Sequence, residues 1–210
     1  SLFFRQSHTP PQPEPAEAGS RRLNGLVEST ALLPSAFEGM SIFFLSGIMC
    51  FFTPYLKVER GFDAWVAGTF FAVSAVVIVV FRLCFSRFVG RVSHLCFLLP
   101  AYGAMVILCL SAPFLNSPLP ILLLGVLFGL GHGAVWTAMG SAAVAHAPAQ
   151  RRGAANATFY LAFDAAIGIG AALWGVVIQA LGYNLCYRIL AAGFLLLSAA
   201  ALLVFRKKTV

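Results

Sequence analysis

Gly125–Ala172, GVLFGLGHGAVWTAMGSAAVAHAPAQRRGAANATFYLAFDAAIGIGAA, decides the fold class. Two long apolar segments flank one polar turn, Ala147-Pro148-Ala149-Gln150-Arg151-Arg152-Gly153. Two ionisable side chains lie well inside those segments: His132, near the centre of the first, and Asp164, ten residues into the second. Small residues run between them and just beyond: Gly125, Gly129, Gly131 and Gly133, then Ala162, Ala166, Gly168, Gly170 and Gly175. Hydrocarbon solvates neither an ionised carboxylate nor an unpaired backbone group. The stretch therefore reads as two membrane helices lining a polar path.

Composition extends that reading to the whole chain. Of its 210 residues, 60% are hydrophobic and 10% charged, against about 45–50% and about 25% in globular proteins. Several apolar stretches reach the roughly 20 residues needed to cross about 30 Å of hydrocarbon. The class is an all-α, polytopic membrane protein. The net charge of +7 does not imply nucleic acid as a partner, because the basic residues cluster at the ends of apolar spans, as orientation signals do. Cys50, Cys84, Cys96, Cys109 and Cys186 lie in or beside those spans without metal-ligand spacing, which makes them packing residues. No cofactor box or metal motif is present in the sequence.

In chain order, Ser1-Leu2-Phe3-Phe4 looks like the tail of a preceding span. Arg5 to Pro34, with Pro10-Pro11-Gln12-Pro13-Glu14-Pro15, reads as a disordered linker, giving a first block of 1–35. A six-helix bundle is expected over 36–205, with spans at 36–56, 64–82, 94–112, 119–146, 154–181 and 184–205. A basic tail follows at 206–210. With the linker in the cytoplasm, the inner side holds Arg5, Arg21, Arg22, Arg82, Arg87, Arg91, Arg151, Arg152, Arg206, Lys207 and Lys208. The outer side holds Lys57, Arg60 and Arg188. That bias places both termini in the cytoplasm. The outer loops, such as Gly182-Tyr183-Asn184, are too short to form a receptor domain.

Three crossings invert whatever follows, so 36–112 and 119–205 are expected to be two three-helix units of opposite topology. Such 3+3 inverted repeats recur in secondary transporters, with sites near mid-membrane. The chain resembles the C-terminal half of a major facilitator superfamily transporter. The likeness rests on the Pro-rich linker before six spans and on Arg82-Leu83-Cys84-Phe85-Ser86-Arg87-Phe88-Val89-Gly90-Arg91, at the place of the family's basic loop motif. It also rests on Gly125 to Gly133, on Pro148 to Ala157 as the turn into the next helix, and on Asp164 followed by glycines, as in efflux-type branches. The sequence departs from the motif at Gly90, where an aspartate usually stands, so a strong loop latch is not expected. The resemblance implies a secondary active transporter in a bacterial inner (plasma) membrane, exporting small organic molecules in exchange for protons. It also implies that a six-helix N-terminal half is missing, or that a second copy takes its place.

The candidate residues carry competing readings. Asp164 lies roughly 15 Å along its helix and reads either as the proton-coupling acid or as a structural pairing group. His132 reads as a proton relay or as a neutral, hydrogen-bonded histidine. Trp136 can stack on substrate or simply pack. Asn156, Tyr160 and Asp164 share one helix face and line a cavity if that face is solvated. Glu38 is expected at the membrane interface, and Arg82, Arg87, Gly90 and Arg91 in the cytoplasmic loop. Gly125, Gly129, Gly131, Gly133, Gly168, Gly170 and Gly175 are assigned to close helix packing. An uncoupled facilitator is the main rival. An intramembrane enzyme lacks a nucleophile–base pair, and a channel lacks a filter-like segment.

Overall fold

The computed structural model describes residues 27–85, 92–145 and 147–206. The linker reading therefore falls mostly on residues outside the described set, as do Arg87, Gly90, Arg91 and the tail from Lys207 onward. Helix α1, Leu32–Pro54, follows a 3-10 turn at Ser29–Ala31 and continues into a wide π turn at Tyr55–Glu59. It begins earlier than the 36 expected because Pro34 falls in the first helical turn, where a missing N–H breaks no intrahelical bond. Helices α2 (Ala64–Phe85), α3 (Leu95–Ser111), α4 (Pro118–Ala145) and α5 (Arg152–Phe205) follow among the described residues. Among the described residues, five helical stretches are long and apolar enough to cross a membrane. Val76, Leu83, Leu123, Leu196 and Leu203 are exposed on their surfaces, as helices bathed in lipid permit.

The 54 residues of α5 would measure about 81 Å if straight. They are not straight, because Gly182 sits at φ 77°, ψ 167°, a conformation open to a residue without Cβ. Both ends of α5 meet the start of α1. At one, Thr158 Oγ1 accepts the Glu28 N–H at 3.0 Å and Arg151 Nε lies 2.8 Å from Glu28 Oε2. At the other, the Phe205 ring stands 5.1 Å from Phe37. The element doubles back at Gly182 as two arms, 152–181 and 183–205, close to the two spans expected from sequence.

Three seams organise the packing. Along α2 and α4, Gly125 faces Phe70, Gly129 faces Ser74, and Gly133 faces Ile78, so the two helices run parallel. A Cβ on Gly125 or Gly129 would stand 2.8 Å or 2.7 Å from the facing carbonyl oxygen, whereas one on Gly133 would meet Ile78 at an ordinary 3.5 Å. The Ser74 hydroxyl bridges this seam, 2.7 Å from Phe70 O and 3.0 Å from Gly125 O. The first arm of α5 runs parallel to α1, with Ala162 at Gly39, Gly170 against Ser46 and Phe43, and Gly175 at Phe51. Trp174 Nε1 donates to Phe43 O at 2.7 Å across it. The second arm runs antiparallel to α3, pairing Phe205 with His94 and Phe194 with Tyr102. Gly131 lies beneath Met105 and Ala101, and Gly168 faces open space.

The end of the bundle holding Glu28 and Arg151 is called the linker end below. At the far end Tyr55 Oη donates to Ala112 O at 2.7 Å, and the Arg60 guanidinium donates to Leu115 O and to Asn116 Oδ1.

Candidate functional site

Near the linker end, α2, α4 and the first arm of α5 separate around a cleft of about 300 Å³. Its walls are Arg82 from the last turn of α2, Trp136, Thr137, Gly140 and Ser141 from α4, and Asn156, Phe159 and Tyr160 from α5. Three of the residues expected to line a cavity, Trp136, Asn156 and Tyr160, are therefore brought together. Arg82 joins them, although its place at the end of a span reads in sequence as a loop cation.

Trp136 is the hub of this cleft. Phe159, Tyr160 and Phe163 present edges to it at centroid distances of 5.3, 5.6 and 4.8 Å, and His132 does the same at 6.0 Å. Edge-to-face packing of this kind fixes ring orientation. The Arg82 Cζ lies 5.4 Å over the indole, in cation–π contact. The guanidinium therefore turns in toward the cleft.

Hydroxyl geometry sets the polarity of the walls. Thr137 Oγ1 donates back to Gly133 O at 2.6 Å and Ser141 Oγ to Ala138 O at 2.9 Å, so these protons are engaged within α4. Among the described residues no ion pair or hydrogen bond engages Arg82, and none engages the Asn156 amide or the Tyr160 hydroxyl. The cleft thus presents unpaired donors.

A second, smaller feature lies behind it. Glu38, Ser41, Tyr102 and His132 line an internal space of about 10 Å³, about the room one water requires. Glu38 is fully buried, and among the described residues neither carboxyl oxygen has a hydrogen-bond partner. Ser41 Oγ donates to Phe37 O at 2.6 Å and shares a 2.8 Å hydrogen bond with Tyr102 Oη. Glu38, expected near the inner end of its span, is buried within the bundle. Because α1 starts at Leu32, Glu38 sits about 9 Å along the helix and faces inward. Its signal in the sequence is a lone carboxylate within an apolar run.

Asp164 lies one turn beyond Tyr160 on the same arm and is exposed at the bundle surface, lining neither space. His132 is half-buried and lines the Glu38 space while its ring meets Trp136. The two expected proton carriers thus occupy different places, and His132 lies beside Glu38.

Residues 112–210 match the family model of the Major Facilitator Superfamily. The chain is also 30% identical over 170 residues to the uncharacterized MFS-type transporter YhhS of Salmonella typhi, and equally to that of Salmonella typhimurium (strain LT2). Each alignment covers 77% of this chain and 39% of the relative. The chain thus spans about two fifths of the length of the curated relatives it matches. No solved structure gives a significant match. Together with the helices, these similarities describe an integral membrane protein that is similar to transporters of that superfamily.

Proposed function

We propose that the chain forms one six-helix half of a secondary active transporter that exports small organic molecules in exchange for protons by alternating access. The observation that carries this reading is the cleft itself: the Arg82 guanidinium from α2 and the Asn156 amide and Tyr160 hydroxyl from the first arm of α5 converge on one space walled by α4. A bilayer tolerates such groups where they line a path.

Seam geometry supports the 3+3 arrangement. Exchanging the first unit for the second carries α1 onto α4, α2 onto the first arm of α5, and α3 onto the second arm. The parallel α2–α4 seam then maps onto the parallel seam between α5 and α1. The α3–second arm pair maps onto itself. Inverted repeats of this kind rock against each other around a fixed site. The membrane is a bacterial inner membrane with both termini cytoplasmic, and the missing half, or a second copy, supplies the opposite wall.

Protons are carried by Asp164, with His132 linking the cleft to Glu38. Burying an ionised carboxylate without a partner costs several kcal/mol. Glu38 therefore needs either a proton or a partner that arrives in another state of the bundle. Gradient-driven flux into proteoliposomes tests this: Asp164→Asn is expected to abolish proton-driven transport while membrane insertion persists. Undiminished flux removes Asp164 from the coupling and leaves Glu38 as the acid to test, and a pH-independent wild-type rate assigns the protein to uncoupled facilitation.

A further inference from the structure

Arg82 is a permanent cation placed at the mouth of a cleft, with no carboxylate partner among the described residues. A guanidinium at the end of a membrane span ordinarily extends toward lipid headgroups. This one instead lies over the Trp136 ring, in a space it shares with the unengaged Asn156 amide and Tyr160 hydroxyl. Thr137 and Ser141 direct their protons to their own helix, so the donors that face the cleft come from α2 (Arg82) and the first arm of α5 (Asn156 and Tyr160), beside the rings of Trp136 and Phe159. Neither Glu38 nor Asp164 lines this space. A cationic ligand would meet a like charge there, with no carboxylate in the cleft wall.

We infer that the cleft is an anion subsite, taking the carboxylate or sulfonate of a small organic acid that carries an aromatic ring. The acid group pairs with the planar fork of Arg82, which matches a carboxylate with two parallel hydrogen bonds, and Asn156 and Tyr160 donate to its remaining lone pairs. The ligand's ring lies along the half-exposed Tyr160 beside Trp136. A volume of about 300 Å³ is at the small end of ligand sites, which run roughly 300–1,000 Å³, so the acid is compact. This assignment names the substrate class for the transport reading and rests on it for its physiological meaning, though the binding stands by itself.

The test uses the full-length polypeptide carrying this chain, in phosphatidylcholine nanodiscs, titrated with salicylate, tetraphenylphosphonium or inorganic phosphate while tryptophan emission is read. Salicylate is expected to give a saturable change, with tetraphenylphosphonium giving none and phosphate binding far more weakly. Arg82→Gln should weaken salicylate by roughly tenfold or more. Arg82→Lys, which keeps the charge and loses the fork, should weaken it less. Equal salicylate binding by wild type and Arg82→Gln overturns the inference, as does saturable tetraphenylphosphonium binding in place of salicylate. Should Arg82→Gln fail to fold, the ligand comparison on wild type and Arg82→Lys still decides. Adding phosphatidylglycerol separates the two sources of anion. An unchanged salicylate affinity supports a free organic acid, and a severalfold loss through competition assigns the cleft to a lipid headgroup and overturns it. Arg82-dependent binding without any flux in proteoliposomes refutes the transport reading while keeping the subsite. Flux without Arg82-dependent binding does the reverse.

Discussion

The two halves of the seam between α2 and α4 differ more than their sequences do. Toward the far end, Gly125 and Gly129 bring the helices so close that an added Cβ would stand under 3 Å from a facing carbonyl oxygen. At Gly133 the contact relaxes to ordinary distance, and one turn later Arg82 and Trp136 occupy the gap and the cleft begins. Both halves are helical, but the closed half is built on glycines facing the neighbouring backbone and the open half carries Arg82 and Trp136. In lipid, where no water is expelled when helices meet, close backbone approach through small residues supplies the cohesion. Large residues at the same register hold the helices apart and leave polar groups uncovered.

The most damaging substitution falls in the closed half. Gly129→Leu drives a side chain into Ser74 O and Val77, and overpacking of this kind costs about 1–3 kcal/mol. Thermal melting in detergent should fall by many degrees. Gly168→Leu, which meets nothing within 4 Å, is the matched control and should melt like wild type; equal losses in the two variants would mean that close approach is not what holds α2 to α4. A smaller effect belongs to the open half. Tyr160→Phe removes one donor and no ring, so KM for an organic acid should rise severalfold, in keeping with about 0.5–1.5 kcal/mol per hydrogen bond, while melting stays put. A shifted melting point with unchanged KM would turn Tyr160 into a packing residue. The smallest concerns the linker end. Glu28→Gln weakens the pair with the part-exposed Arg151, and such pairs contribute roughly 0–1 kcal/mol. A loss of several kcal/mol in chemical denaturation would show that this contact anchors the bundle.

Much of the fold was legible because bilayer physics is severe. Apolar length, the Pro148 turn and the glycine at 182 marked helices and breaks without any tertiary information. Among candidate site residues, Trp136, Asn156 and Tyr160 were legible from helical spacing, since residues four apart share a face on any helix. Arg82 and Glu38 were not. Both stand near span ends, where a few residues of boundary error separate an interfacial charge from a buried one, and where long side chains can turn either way. Asp164 shows the converse: its distance along the helix is readable from sequence, but the face it presents is not.

The membrane class, the helix order, the small-residue seams and the stripe joining Asn156 to Asp164 can all be read along the chain, because hydropathy and the 3.6-residue period are local properties. The tertiary structure alone decided that α2 and α4 run side by side and splay at one end. It also decided that Arg82 turns onto Trp136, that Glu38 lies sealed beside His132, and that Asp164 stays on the outer face. Those outcomes depend on which helices become neighbours and on how far apart their backbones stand, and that is fixed only when the size of every facing residue is satisfied at once.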